Sequence, residues 1–171
     1  MNAVERRERL EALFSGHAAA VRAYAARRVP AAEADDVTSD VFVVAWRRLD
    51  DVPDDALPWL LACARRVVAN RRRSGRRQAA LRERLGREHR GAVMPPTVGS
   101  SLRDGLASLS ASDREVLMLV AWEGLDASRA AVVVGCSPRA FAMRLHRARR
   151  RLARAMGESD RLAPDPMEAV G

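Results

Sequence analysis

The chain has 171 residues, a formal net charge of +8, and 30 Lys+Arg residues, every one of them arginine. Its 48% hydrophobic content can build a core, which argues against disorder throughout, and its length suits one medium domain or two small ones. An arginine-rich basic chain favours a polyanionic partner, and only 4% aromatics beside abundant Ala, Leu and Val favour helices over sheets.

The opening "MNAVERRERLEALF" is charged and lacks the apolar core of a signal peptide. No run of about 18 apolar residues follows, so no membrane insertion and a cytoplasmic location are expected. Residues 4–29 read as a helix from Leu10, Leu13, Phe14, Val21 and Tyr24, with a break signalled at Ser15-Gly16 and a stop at Pro30. A second helix is expected over 32–49. Val37, Val41, Ala45 and Leu49 recur every four residues, with Phe42 and Trp46 on the same face. Its acidic start (Glu33, Asp35, Asp36) complements the positive end of the helix dipole. "DDVPDDALP" (50–58) is a loop. A third helix runs from Leu57 or Pro58 to about Arg73 on Leu60, Leu61, Ala64, Val67 and Val68, and ends in the basic run "NRRRSGRR".

From there to residue 100 the chain reads as a linker. Gln78 to His89 can be helical but has a poor apolar face, and "GAVMPPTVGSS" is a clear break. The expected division is a domain over 1–75, a flexible linker over 76–100, a second domain over 101–156, and a frayed tail over 157–171. Cys63 and Cys136 belong to no ligand-spaced cluster and read as buried, reduced thiols.

The second domain reads as four short helices. Leu102, Leu106 and Leu109 mark the first. Ser112 with Glu115 three residues on gives a capping-box start for the second, whose Val116, Leu117, Leu119 and Val120 face inward until Gly124. Asp126 caps "ASRAAVVV", and Gly135 ends it. Ser137 is the next N-cap, with Pro138 at the first helical position. Two helices joined by a tight glycine-containing turn form a helix-turn-helix, whose second helix enters the DNA major groove. That helix carries Phe141, Leu145, Ala148 and Leu152 as one apolar stripe. Arg139, Met143, Arg147 and Arg150 fall away from the stripe, and Arg144, Arg149, Arg151 and Arg154 widen the basic surface. Arginine pairs bidentately with guanine or clamps a phosphate. A merely solvated basic helix is the competing reading, and the tight turn favours DNA.

"ADDVTSDVFVVAWRRLDD" and "LPWLLACARRVVANRRRSGRR" resemble region 2 of bacterial sigma factors, in the extracytoplasmic-function (ECF) group. "LRDGLASLSASDREVLMLVAWEGLD" and "GCSPRAFAMRLHRARRRL" resemble region 4, most closely at "REVLML", "EGL" and "RLHRARRRL". The resemblance implies an all-α chain of two small helical domains joined by a flexible linker, the C-terminal one a helix-turn-helix. It implies no enzyme activity and no cofactor. It implies binding to core RNA polymerase, through its clamp and flap regions, and to promoter DNA. An anti-sigma factor is a further partner that the resemblance suggests and no segment proves.

The resemblance also distributes roles. Ser137, Arg139, Ala142, Met143, Arg144, His146, Arg147 and Arg150 would face the −35 element as duplex. Asp51, Asp54, Trp59, Arg65, Arg66, Asn70, Arg71 and Arg72 would face the melted −10 element, with Trp59 either stacking on a base or packed inside. Asp36, Asp40, Arg47 and Arg48 would meet polymerase, with dipole compensation an equal explanation of the acids. The chain departs from the family in places. Ser39-Asp40 stands where Gln-Glu is common, Arg66 and Asn70 where Asn and Asp are common, and Ala142-Met143 where a basic residue and Ser are common. "SRAAVVVG" lacks the usual acidic pair. Methionine makes no directional hydrogen bond, so the upstream element differs from the usual one or is held through phosphates and DNA shape. The rival reading is a stand-alone helix-turn-helix regulator that needs no polymerase. Catalysis finds no support, because His17, His89 and His146 are scattered and no nucleophile, metal or phosphate-loop pattern occurs.

Overall fold

A computed structural model describes residues 2–83 and 100–162. Among these residues the chain is helical, in the order α1 (Ala3–Ala26), α2 (Ala31–Arg47), a single 3-10 turn (Leu49–Asp51), α3 (Ala56–Glu83), α4 (Ser100–Ser108), α5 (Ala111–Ala121), α6 (Ala127–Val134) and α7 (Pro138–Leu162). The all-α expectation holds. Two compact units form, one built on α1, α2 and α3, the other on α4, α5 and α7.

In the first unit the three helices pack on one another. Val21 and Tyr24 from α1 meet a core that includes Val37, Val41 and Ala45 of α2 and Leu60, Leu61 and Ala64 of α3, all essentially inaccessible. Each such Leu or Val contributes about 2 kcal/mol by leaving water. Asn2 starts α1: its side chain accepts from the backbone of Glu5, and the Glu5 carboxylate accepts from the Asn2 backbone N–H, a reciprocal cap that lies ahead of the expected start.

The expected break at Ser15-Gly16 does not occur, and α1 is continuous. A lone glycine costs a helix about 1 kcal/mol, which the flanking Leu and Ala residues sustain. For the same reason α3 passes straight through Ser74-Gly75 and reaches Glu83, well beyond Arg73. Helix α7 likewise runs through Gly157 to Leu162 rather than stopping near Met156. The expected helix at 78–89 is therefore the end of α3 up to residue 83. Its remainder, residues 91–99 of the expected "GAVMPPTVGSS" break and the tail beyond 162 lie outside the described residues, and the last two serines of that break already belong to α4.

Two core expectations are corrected. Phe42 is buried, but Trp46 is 41% exposed. Its ring carries the Arg6 guanidinium 5.1 Å from its centroid, an arrangement that needs one open face. Cys63 is buried, whereas Cys136 sits half-exposed in a turn. Burial, the larger influence, pushes the Cys63 thiol up against the opposing charges of Arg66 and Arg48.

In the second unit α7 packs on both α4 and α5. Helix α4 comes close to α7 because residue 105 is glycine: a Cβ there would stand 3.1 Å from both Leu152 Cδ1 and Met156 Cγ. Helix α5 starts two residues earlier than expected. Ser110, not Ser112, is the N-cap, and its hydroxyl accepts from the Asp113 N–H at 3.1 Å. Arg114 donates to the carbonyls of Leu109 and Ala107 at the end of α4, satisfying groups that a helix end leaves open. Ser110→Ala is expected to destabilise the chain by about 1 kcal/mol in urea denaturation followed by circular dichroism. Ser112→Ala should stay within about 0.5 kcal/mol.

Candidate nucleic-acid interface

The turn between α6 and α7 is set by backbone geometry. Gly135 has φ of 73°, which an L side chain rarely adopts. The Cys136 N–H donates to the Ala131 carbonyl at 3.0 Å and the Gly135 N–H to Val132 at 3.3 Å, closing α6. The Ser137 hydroxyl accepts from the Ala140 N–H at 3.2 Å and Pro138 begins α7, as the sequence predicts. At the other end of α6, Asp126 Oδ1 accepts from the Arg129 N–H at 2.9 Å, again as predicted.

Helix α7 has two faces. Phe141 and Ala148 are fully buried, and Leu145 and Leu152 are half-buried beside them. All eight residues expected to face the upstream element (Ser137, Arg139, Ala142, Met143, Arg144, His146, Arg147 and Arg150) are exposed on its first turns. Sequence reasoning missed how the helix is held in rotation. Arg151 donates to Asp113 of α5 at 2.5 Å. Partial burial pushes the Asp113 carboxyl up. Hydrogen bonds with Arg151 and Ser110, with the charges of Arg151 and Arg147, more than reverse this and hold it below its ordinary value.

The first unit brings together side chains that the sequence assigned to different partners. Arg71, expected near DNA, donates to Asp40 at 2.7 Å and lies 3.8 Å from Asp36, both expected at polymerase. These pairs raise the Arg71 pKa, the Asp40 hydrogen bond most. Arg72 donates to the Arg28 carbonyl at 2.6 Å and so ties α3 to the end of α1. Arg28 is itself buried, stacked on the Tyr24 ring at 3.4 Å. Asn70 accepts from Arg73. Arg65 and Arg66 are exposed on α3, and Arg47 is exposed at the end of α2. Asp51 accepts from Arg48 at 2.8 Å, and Arg48 lies 6.0 Å from the centroid of half-buried Trp59. Asp54 is exposed.

The loop that carries Asp51 and Asp54 is held by α1. Arg9 donates to the Val52 carbonyl at 2.7 Å. Arg6 donates to the Trp46 carbonyl at 3.0 Å and pairs with Asp50 at 3.1 Å. In sequence both belong to "ERRERL", a charge run that reads as a solvated face, and no local spacing reveals partners forty residues away. Nearby, Ala3, Arg7, Leu10, Ser39, Phe42, Val43 and Trp46 line an apolar groove between α1 and α2. Among the described residues no His, Cys, Asp and Glu cluster fits a metal, and no helix is long and apolar enough to cross a membrane.

Comparison with known proteins gives the family. The profile for Sigma-70 region 2 matches residues 13–78, and that for Sigma-70 region 4 matches residues 100–152. The ECF RNA polymerase sigma factor SigL of Mycobacterium tuberculosis is 30% identical over 162 residues, covering 87% of this chain and 89% of SigL.

The chain belongs to the sigma-70 family, in its ECF group.

As an ECF sigma factor it directs promoter-specific initiation of transcription, with core RNA polymerase and promoter DNA as its partners. The structure of CnrH in complex with the cytosolic domain of CnrY is similar, at 27% identity, a TM-score of 0.60, and coverage of 87% of this chain and 88% of CnrH. The sigma factor RpoE in complex with the anti-sigma factor NepR from Bartonella quintana shares the fold, at 24% identity, a TM-score of 0.64, and coverage of 86% and 96%.

The Asp113 contact gives a pH test of how α7 of this sigma factor is seated. Its folded pKa lies below the ordinary 3.8, so its stabilisation is full above that value and is lost as pH falls through the lower, folded one. The stability difference between wild type and Asp113→Asn should be constant near neutrality and shrink below 3.8. The difference is expected at about 1 kcal/mol or less, because the Arg151 side chain is 58% exposed. Urea titrations of both proteins across that range measure it.

Proposed function

We propose that the two units divide the promoter between them. Residues 101–156 read the −35 element as duplex, with α7 in the major groove, and residues 1–75 melt and read the −10 element. The segment between the end of α3 and the start of α4 links them. The observation that carries this reading is the exposed, arginine-rich outer face of α7 behind a glycine turn. On it Arg139, Arg147 and Arg150 serve as guanine or phosphate contacts, with Ser137, Ala142, Met143, Arg144 and His146 between them.

For the −10 element, exposed Arg65 and Arg66 supply phosphate contacts, with Asn70 beside them, while Asp51, Asp54 and Trp59 border the surface for unstacked bases. Arg71 and Arg72 act mainly by fixing α3 against α2 and α1, as their bonds to Asp40 and the Arg28 carbonyl support. Polymerase docks on the outer side of α2. Exposed Arg47 and the acids Asp36 and Asp40 mark that side, Arg48 lies at its end, and exposed Val43 and Trp46 give it apolar area. The clamp takes this unit and the flap the other.

The protein is a specificity subunit rather than an enzyme and works in the cytoplasm, where polymerase acts. An anti-sigma factor restrains it, a reading that rests by analogy on the similarly folded RpoE, whose structure is a complex with the anti-sigma factor NepR.

Binding of the holoenzyme to promoter duplex at several salt concentrations tests the −35 assignment. Arg147→Ala should weaken binding and reduce the slope of log affinity against log salt by about 1 if Arg147 meets a phosphate. An unchanged affinity and slope would remove Arg147 from the interface.

A further inference from the structure

The outward ridge of α7 is Arg139, Met143, His146 and Arg150, spaced i, i+4, i+7 and i+11 on the side opposite Phe141, Leu145, Ala148 and Leu152. Met143 is the large apolar residue in this ridge and is 57% exposed. Exposed Ala142 lies next to it, and exposed Arg147 follows one turn later. A single exposed apolar side chain is unremarkable on most surfaces. This one stands within the basic face that, on the reading above, meets the major groove.

The chemistry of that groove is restrictive. Its polar edges require donors or acceptors, and methionine offers no directional hydrogen bond. The groove presents one apolar group, the C5-methyl of thymine. Methionine is unbranched, flexible and polarizable, and so can close on a methyl group without a fixed docking angle. Cytosine lacks that methyl and presents an amino donor, which a thioether pairs with poorly.

We propose that Met143, with Ala142 beside it, reads thymine methyl groups in the upstream promoter element, and that flanking Arg139 and Arg147 supply the polar and phosphate contacts. Met143 is thus a specificity-determining residue, and the sequence class it selects is a thymine-containing step facing the second turn of α7. This inference rests on the proposed reading of the −35 element by α7.

Deoxyuridine differs from thymidine only by the missing methyl, so it isolates the contact. The probe is a promoter duplex found by start-site mapping, with each thymine of the upstream element replaced singly by deoxyuridine. Binding is measured with holoenzyme assembled from the full chain and core polymerase. One or two positions should lose affinity by about fourfold, the worth of one buried methyl-sized group. In Met143→Ser those same positions should become insensitive. Met143 is exposed, so this variant should keep its circular dichroism spectrum and melting temperature.

Arg139→Ala and Arg147→Ala separate the two levels of the argument. If both leave binding unchanged, the −35 reading itself fails. If they weaken binding but no deoxyuridine substitution matters, the methyl-reading proposal is overturned. It is also overturned if the sensitivity persists undiminished in Met143→Ser, because the methyl would then be met by another residue.

Discussion

Helix α7 must be buried along one side and exposed and basic along the other, and the function of the second unit depends on that division. Phe141 and Ala148 at zero exposure fix which side faces the core. Once that is fixed, geometry alone sends Arg139, Met143, His146 and Arg150 outward. Two contacts keep the helix from rolling. Gly105 lets α4 lie against Leu152 and Met156, and Asp113 of α5 holds Arg151 at the edge of the apolar stripe. The turn at Gly135 then sets the angle at which the helix leaves α6. No side chain on the outer face has to stabilise the fold, so that face is free to carry positive charge at a density that a buried or interlocked surface would not tolerate.

The first unit solves a different problem. The loop after α2 is short, acidic and irregular, and it follows a helix whose last carbonyls need partners. Arg6 and Arg9 meet that need from α1 by donating to Trp46 and Val52. Charge on α1 thus orders a loop on the far side of the helix sequence. Arg71 and Arg72 do the same for α3, bridging to Asp40 and to the Arg28 carbonyl. Some of the arginine content is therefore internal scaffolding, and the net charge overstates how much of it meets nucleic acid.

Local chemistry was the legible part. The Asp126 and Ser137 caps, Pro138 and the positive-φ glycines at 124 and 135 each act within a few residues, and each appears where the sequence places it. The stripe on α7 was equally plain, because helical periodicity and burial coincide there. What failed was of two kinds. Competing caps within "SASD" are nearly equivalent in sequence, and the choice of Ser110 over Ser112 depends on where α4 ends. Ser74-Gly75 and Ser15-Gly16 look like stops, yet good helix formers on both sides carry the helix through. The second kind is long-range pairing. Arg71 to Asp40 spans 31 residues and Arg72 to Arg28 spans 44, so no spacing rule could foresee either bond, the first of which joins residues assigned to separate partners. Trp46 belongs here too: its place in the pattern marked it as core, and only a cation from α1 explains its open face.

The most direct measurement is run-off transcription on fragments of the source genome, using purified core RNA polymerase with and without this protein. The account predicts discrete transcripts that appear only when the protein is added, with shared −35 and −10 elements upstream of their starts. Binding of the isolated chain to duplex DNA, with no transcript from the reconstituted enzyme, would contradict it and point to a regulator that acts without polymerase.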